Sequence, residues 1–150
     1  ENQDMKNLKL VIAGKKGWDY EESLEAPQKF GVQESVKFIG RVPSEDLPAL
    51  FSGSKGYVNV SFEEGFGLPL LESMACGTPS VVSDIPAHRE VGGYLPFYAN
   101  PYNVENIKDG IHKLAYSECN KQELLDRAGL FSWENTAKET LSMLTNQHIK

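Results

Sequence analysis

The sequence predicts an α/β protein with a doubly wound, mostly parallel sheet and helices on both faces. Three observations lead there. Short apolar runs rich in branched residues recur along the chain and stop at turn residues, as strands buried on both faces do. Between them lie stretches of helix formers with capping residues and apolar positions at helical spacing. The two kinds alternate, and strand–helix alternation builds a parallel sheet covered on both sides.

Taken in order, LKLVIAG (8–14) reads as a strand buried on both faces and stopped by glycine. DYEESLEAPQKFG (19–31) is helix-like and ends at Gly31, with Pro27 expected to shorten or break it. VKFIG (36–40) repeats the strand-then-glycine pattern. Ser44 is a candidate N-cap for a short helix to about Ser52, with Glu45 and Asp46 in its first turn, where acids complement the helix dipole. GYVNVSF (56–62) is the next strand, and LPLLESMACG (68–77) a helix closed by Gly77.

TPSVVSD (78–84) is another buried strand and YLPFYA (94–99) a weaker one. NVENIKDGIHKLAYS (103–117) places Val104, Ile107, Ile111 and Leu114 at helical spacing. A helix follows around 120–130. A last one, running from an N-cap at Ser132 through Gln147, puts Trp133, Ala137 and Leu141 on one face as core packing. No internal repeat, low-complexity stretch or interdomain linker is visible, so residues 1–150 read as a single domain.

Composition narrows the function classes. The 150 residues carry a formal charge of −6, which argues against a broad nucleic-acid footprint, although backbone amides can build a local phosphate site without net positive charge. Cys76 and Cys119 are far apart and in no metal-binding spacing, so they read as reduced thiols. No run approaches a membrane span. The chain opens on a polar stretch, ENQDMKN, without an initiator methionine, and reads as a piece of something longer.

The chemistry concentrates in EEGFGLPLLESMACGTP (63–79). Gly65 and Gly67 permit positive φ and close backbone approach, and the helix that starts at Leu68 offers free N–H groups and the positive end of its dipole to an anion. Pro69 suits the first turn, where its missing donor costs nothing. The loop matches neither GxGxxG nor GxxxxGK[ST], so dinucleotides and P-loop triphosphates are poorly supported. Glu64 stands at the loop and Glu72 about one turn into the helix. Carboxylates beside phosphate repel it, so these acids address hydroxyl groups. Adjacent residues of an extended chain point opposite ways, so only one of Glu63 and Glu64 faces the crevice. A nucleotide sugar satisfies every part: amides for the diphosphate, one acid for the ribose and one for the sugar.

The stretch SFEEGFGLPLLESMACGTPSVVSDIPAHREVGG resembles the donor-binding motif of family 4 retaining glycosyltransferases, which have a GT-B fold of two Rossmann-like halves. LVIAGKKGWDYEE, VKFIGRVPSEDLPALFSGS, PYNVENIKDGI and FSWENTAKETL are similar to the matching segments of that family's C-terminal half, in the same order. The resemblance covers nearly the whole chain.

It implies a nucleotide-sugar-binding domain that transfers a hexosyl unit from a nucleotide diphosphate sugar to an acceptor hydroxyl with retention of configuration, without a metal. GKKGW and HREVGG incline the donor toward mannose. Glu64 is implied as the first acid of the E-x7-E pair, at the reacting centre, and Glu72 as the second, on the ribose. Gly65, Phe66, Gly67 and Leu68 fall in the stretch whose backbone contacts sugar and diphosphate, and Arg41 and Val42 at positions lining the nucleobase.

By the same resemblance, the first strand and helix of that half are missing, with their diphosphate-binding Arg and Lys, and so is the N-terminal acceptor domain. The 150 residues alone are then expected to be inactive. The implied partners are the donor, an acceptor sugar or lipid-linked or polysaccharide precursor, and the N-terminal half. The location implied is cytoplasmic, with peripheral contact at the inner membrane face left to the missing half. Asn100 stands where the family has Asp. Lys15 and Lys16 are not given the missing basic pair's role, and His88 and Arg89 read as a turn or capping region rather than catalytic groups. His112 and His148 read as solvated or satisfied helix residues. A regulatory nucleotide-binding module without transfer is the alternative, beside a glycoside hydrolase and an interaction domain.

Overall fold

The structure, a computed structural model, describes residues 7–17 and 20–145. The chain forms two compact units, Glu1–Leu47 and Pro48–Lys150. In the first, β1 (Leu10–Ala13) and β2 (Val36–Gly40) pair in parallel, Leu10 opposite Val36 and Ile12 opposite Phe38. Between them run α1 (Glu21–Lys29) and a single 3-10 turn, Gln33–Ser35.

Two expectations fail in this unit. β1 is exposed along its length rather than buried on both faces, because its sheet has only two strands and offers little cover. Pro27 does not break α1. It lies near the C-terminal end, so few hydrogen bonds depend on its missing donor, and the helix closes through Phe30 N–H to Ala26 O at 3.0 Å and Gly31 at φ +67°. Trp18, Asp19 and His148 lie outside the described residues.

The second unit holds a parallel sheet in the order β3 (Tyr57–Asn59), β4 (Ser80–Ser83), β5 (Phe97–Ala99), with β4 central. Its helices are α2 (Leu47–Gly53), α3 (Leu68–Ala75), α4 (Pro86–Gly92), α5 (Val104–Tyr116), α6 (Lys121–Ala128) and α7 (Trp133–Thr145). α2 starts at Leu47 rather than after Ser44. Pro48 suits a first helical turn, and residues 44–46 form a separate turn.

Strand alternation places the core. Val81 and Val82 point to opposite faces of β4: Val82 joins Leu70 and Met74 of α3, Val91 of α4, and Leu124 and Ala128 of α6, while Val81 packs with Ala99 and Leu114. Every residue of β4 is buried, as expected of this strand, the two serines that flank its valines included. Each large side chain so buried contributes about 1.5–3 kcal/mol. α5 is capped by Asn103, whose side chain accepts from Asn106 N–H. Its Gly110 allows close approach to β4, since a Cβ there would lie 2.9 Å from Val81 Cγ1.

Helical spacing is a weaker guide at helix ends. Ile107, Ile111 and Leu114 pack on the sheet, but Val104, in the first turn, is 77% exposed. Ser132 caps α7 through its Oγ and Asn135 N–H at 3.1 Å, yet no residue of α7 is buried, and Trp133 is 78% exposed. The periodicity marks an apolar face without naming what covers it.

Candidate active site

The loop that leaves β3 and enters α3 carries the acids. Glu63 is exposed; Glu64 is half-buried and anchored. Asn59 Nδ2 donates to Glu64 Oε1 at 3.1 Å, and Ser61 Oγ lies 2.8 Å from the same oxygen. Ser61 N–H donates to Asn59 Oδ1 at 3.1 Å, which orients the amide so that its NH2 faces the carboxylate. Hydrogen bonds from Ser61 and Asn59 hold the Glu64 carboxyl below its ordinary range, and burial opposes them. Glu64 is therefore a fixed, ionised acceptor.

Asn59 and Ser61 were not singled out in the sequence. Their signal was there: residues 57, 59 and 61 are polar or amphipathic at alternating positions along an otherwise apolar strand, so they share one face. Tyr57 belongs to the same face. Burial pushes its phenol up to about 12, Asn59 opposes the rise, and the Glu64 and Glu72 carboxylates add to it. Both acids of the pair thus bear on one hydroxyl.

α3 begins without a side-chain cap. Gly67 precedes it at φ +91°, ψ +44°, in left-handed backbone that disfavours side chains, and Pro69 occupies the first turn. Pro69 has no N–H and Leu70 N–H bonds to Gly67 O at 3.0 Å, so the Leu68 amide is the donor that this helix start presents, together with the positive end of the dipole. Gly67 is buried, while Gly65, Phe66 and Leu68 are exposed around it. Glu72 is exposed on α3, one turn further along. At its other end α3 closes as predicted, with Gly77 at φ +67°, Gly77 N–H to Met74 O at 2.9 Å and Thr78 N–H to Ser73 O at 2.9 Å.

α4 supplies a group undervalued in the sequence. His88 is completely buried, with Nδ1 3.0 Å from Ser83 O and Nε2 without a partner. Its ring edge meets Gly67, where a Cβ would lie 3.1 Å from His88 Cδ2. Arg89 is committed elsewhere. It grips exposed Asp84 through two hydrogen bonds of 2.7 and 2.8 Å and lies 3.7 Å over the Tyr98 ring.

Arg41, exposed, and Val42, half-buried, belong to the first unit, as do Lys15 and Lys16, the latter with its ammonium 5.1 Å from the Tyr20 ring. A cavity of about 430 Å³ lies at the opposite end of β3 and β4, lined by Lys55, Thr78, Pro79, Cys119 and Lys121 among others. Lys55, Thr78 and Pro79 precede β3 and β4, whereas ligands of parallel sheets bind beyond the carboxyl ends of the strands, which favours Glu64 and its loop as the candidate site. Among the described residues, no helix is long and apolar enough to cross a membrane, and no group of three or more His, Cys, Asp or Glu is placed to hold a metal ion.

The O-antigen chain mannosyltransferase B of Escherichia coli is 33% identical over 137 residues, covering 89% of this chain and 36% of that protein. Among solved structures, the sucrose-phosphate synthase of Thermosynechococcus elongatus superposes with a TM-score of 0.79 at 22% identity, over 92% of this chain and 38% of its own. HepE of Anabaena, in complex with UDP and glucose, gives 0.72 at 16%, over 92% and 40%. These likenesses establish the α/β fold, one found in GT-B glycosyltransferases, and the chain spans only 36–40% of the length of each of these three proteins. The family model described as glycosyl transferases group 1 matches residues 1–129, and the chain belongs to that family.

Proposed function

We propose that the protein of which this chain is part transfers a hexosyl unit, mannosyl by preference, from a nucleotide diphosphate sugar to an acceptor hydroxyl with retention of configuration and without a metal. The observation that carries this reading is the uncapped start of α3 behind left-handed Gly67, with an anchored Glu64 carboxylate before it and Glu72 one turn after it. A diphosphate on the amides of residues 65–68 gains from the helix dipole, and the developing charge of the leaving group gains most, which is where such an electrostatic site accelerates reaction. Glu64 positions the transferred sugar, Glu72 accepts from the ribose hydroxyls, and Arg41 and Val42 line the base.

The name of the E. coli mannosyltransferase supports the choice of sugar, and the UDP and glucose in the HepE structure support a nucleotide-sugar donor. The acceptor is a sugar or a lipid-linked or polysaccharide precursor. The reaction runs in the cytoplasm, where nucleotide sugars are made, and acceptor binding and any peripheral membrane contact fall to another half of the same enzyme. The intact protein is to be assayed against GDP-mannose, UDP-glucose and UDP-N-acetylglucosamine, with the anomeric configuration of the product read by NMR. Retained configuration with one donor, lost in Glu64→Ala, supports the reading. Nucleotide binding without transfer from any of these donors would turn it into a regulatory module.

A further inference from the structure

His88 is the buried polar group that the reading above leaves unused. Its Nδ1 lies 3.0 Å from Ser83 O. A carbonyl only accepts, so Nδ1 carries the hydrogen, and Nε2 of the neutral ring is a bare lone pair. That lone pair is buried and has no partner, an arrangement that costs about 1–3 kcal/mol. It sits against the donor loop: a Cβ on Gly67 would be 3.6 Å from Nε2. The ring therefore fills the space that the missing side chain of Gly67 leaves, directly beneath the start of α3.

We propose that His88 is a proton-linked positioning residue of the donor site, its Nε2 taking up one proton from solvent when a diphosphate occupies the loop at residues 65–67. His88 passes from neutral imidazole to imidazolium, and no other bond changes. In the empty loop the positive end of α3 opposes a second cation beneath it. A bound diphosphate reverses the local sign and makes the imidazolium favourable. The surrounding charges fit this coupling. Glu64, on the loop, is close enough to His88 for the two to interact electrostatically. Glu72 on α3 is exposed, and Asp84 and Arg89 neutralise one another at the surface. Tyr98 of β5 donates to the backbone oxygen of His88, not to its ring, and Arg127 of α6 is bound to the carbonyls of Glu90 and Val91.

The inference rests on the donor-site reading, and the test separates the two. Binding of GDP, and of UDP in parallel, to the intact protein is to be followed calorimetrically in two buffers of different ionisation enthalpy, for wild type and His88→Gln. Glutamine keeps a donor for Ser83 O but takes up no proton. Wild type is expected to bind with up to one more proton taken up than the variant. Its affinity should fall, relative to the variant's, as pH rises, since proton uptake favours binding at lower pH. Equal proton uptake and parallel pH profiles would overturn the role of His88 and leave the donor site standing. Failure of wild type to bind either nucleotide would overturn both. Should the variant not fold, the ¹⁵N shifts of the His88 ring in wild type decide: imidazolium on adding nucleotide supports the inference, and an unchanged neutral ring sinks it.

Discussion

Gly67 joins the donor loop, the start of α3 and His88, so replacing it with alanine tests the geometry of all three. Two costs add. Left-handed backbone at φ +91° carries a penalty of roughly 1–2 kcal/mol for a residue with a Cβ. The new methyl would also meet His88 Cδ2 at 3.1 Å, and because that ring is fully buried and held by Ser83 O, it has little room to yield. Overpacking of this kind costs on the order of 1 kcal/mol or more. Gly67→Ala should therefore lose about 2–3 kcal/mol in denaturant unfolding of the intact protein. It should also weaken nucleotide binding about tenfold, equivalent to about 1.4 kcal/mol, by turning the first amides of α3. Gly65→Ala is the control. A Cβ there meets nothing within 4 Å and the backbone is not left-handed, so stability should change by under about 0.5 kcal/mol. In a His88→Ser background only the backbone penalty should remain, leaving a coupling of about 1 kcal/mol. A Gly67→Ala protein as stable and as tight-binding as wild type would refute the assignment of this loop.

Other changes separate parts of the site and its support. Glu72→Ala should weaken nucleoside diphosphate binding about tenfold, a hydrogen-bonded carboxylate being worth about 1.5–3 kcal/mol, whereas exposed Glu63→Ala should leave it unchanged; equal losses by calorimetry would contradict the choice of acid. Ser61→Ala removes a donor to Glu64 and should raise its pKa, read by ¹³C NMR titration of the side chain. Because the folded-state value is depressed, the stabilisation it represents is present above the ordinary carboxylate range and is lost as pH falls through the folded value. The variant should accordingly lose less stability on acidification than wild type, and identical acid profiles would show that Ser61 does not bear on the carboxylate. Gly110→Ala sets helix propensity, a gain of up to about 1 kcal/mol, against a 2.9 Å contact with Val81, a cost of about 1–3 kcal/mol. Thermal melting should show a net loss, and a gain would mean that α5 is free to move off β4.

Much of the fold was legible because two signals agreed at each element. SVVS, with two β-branched valines at its centre, is buried at every position, and Ser132 and Gly77 cap the helices they were expected to cap. Legibility failed where a local pattern needed a partner that the pattern does not name. The apolar run LVIA is exposed on a two-stranded sheet, and the apolar face of α7 carries exposed Trp133. At the site, the glycines and acids stood out because their chemistry is unusual beside a helix start. Asn59 and Ser61 escaped notice because single polar residues in a strand are common, and only the folded loop brings Glu64 back to within hydrogen-bond reach of them. His88 escaped for the opposite reason: a histidine's importance here comes from complete burial, which no local spacing reveals.

β4 connects these levels. Its alternation sends Val82 into the packing of α3 and α6 and Val81 against α5, while its last carbonyl, at Ser83, fixes the ring of His88 beneath the donor loop. α3 is held to the same strand through Leu70 and Met74, both completely buried. The start of α3 and the histidine beside it therefore share one frame, and Glu64, on the loop before it, is tied back to β3 through Asn59. A site needs its groups held within about half an ångström to act on a developing charge. Core packing around β4 thus supports the proposed donor site: a cavity made at Met74 should loosen the amides at Gly67.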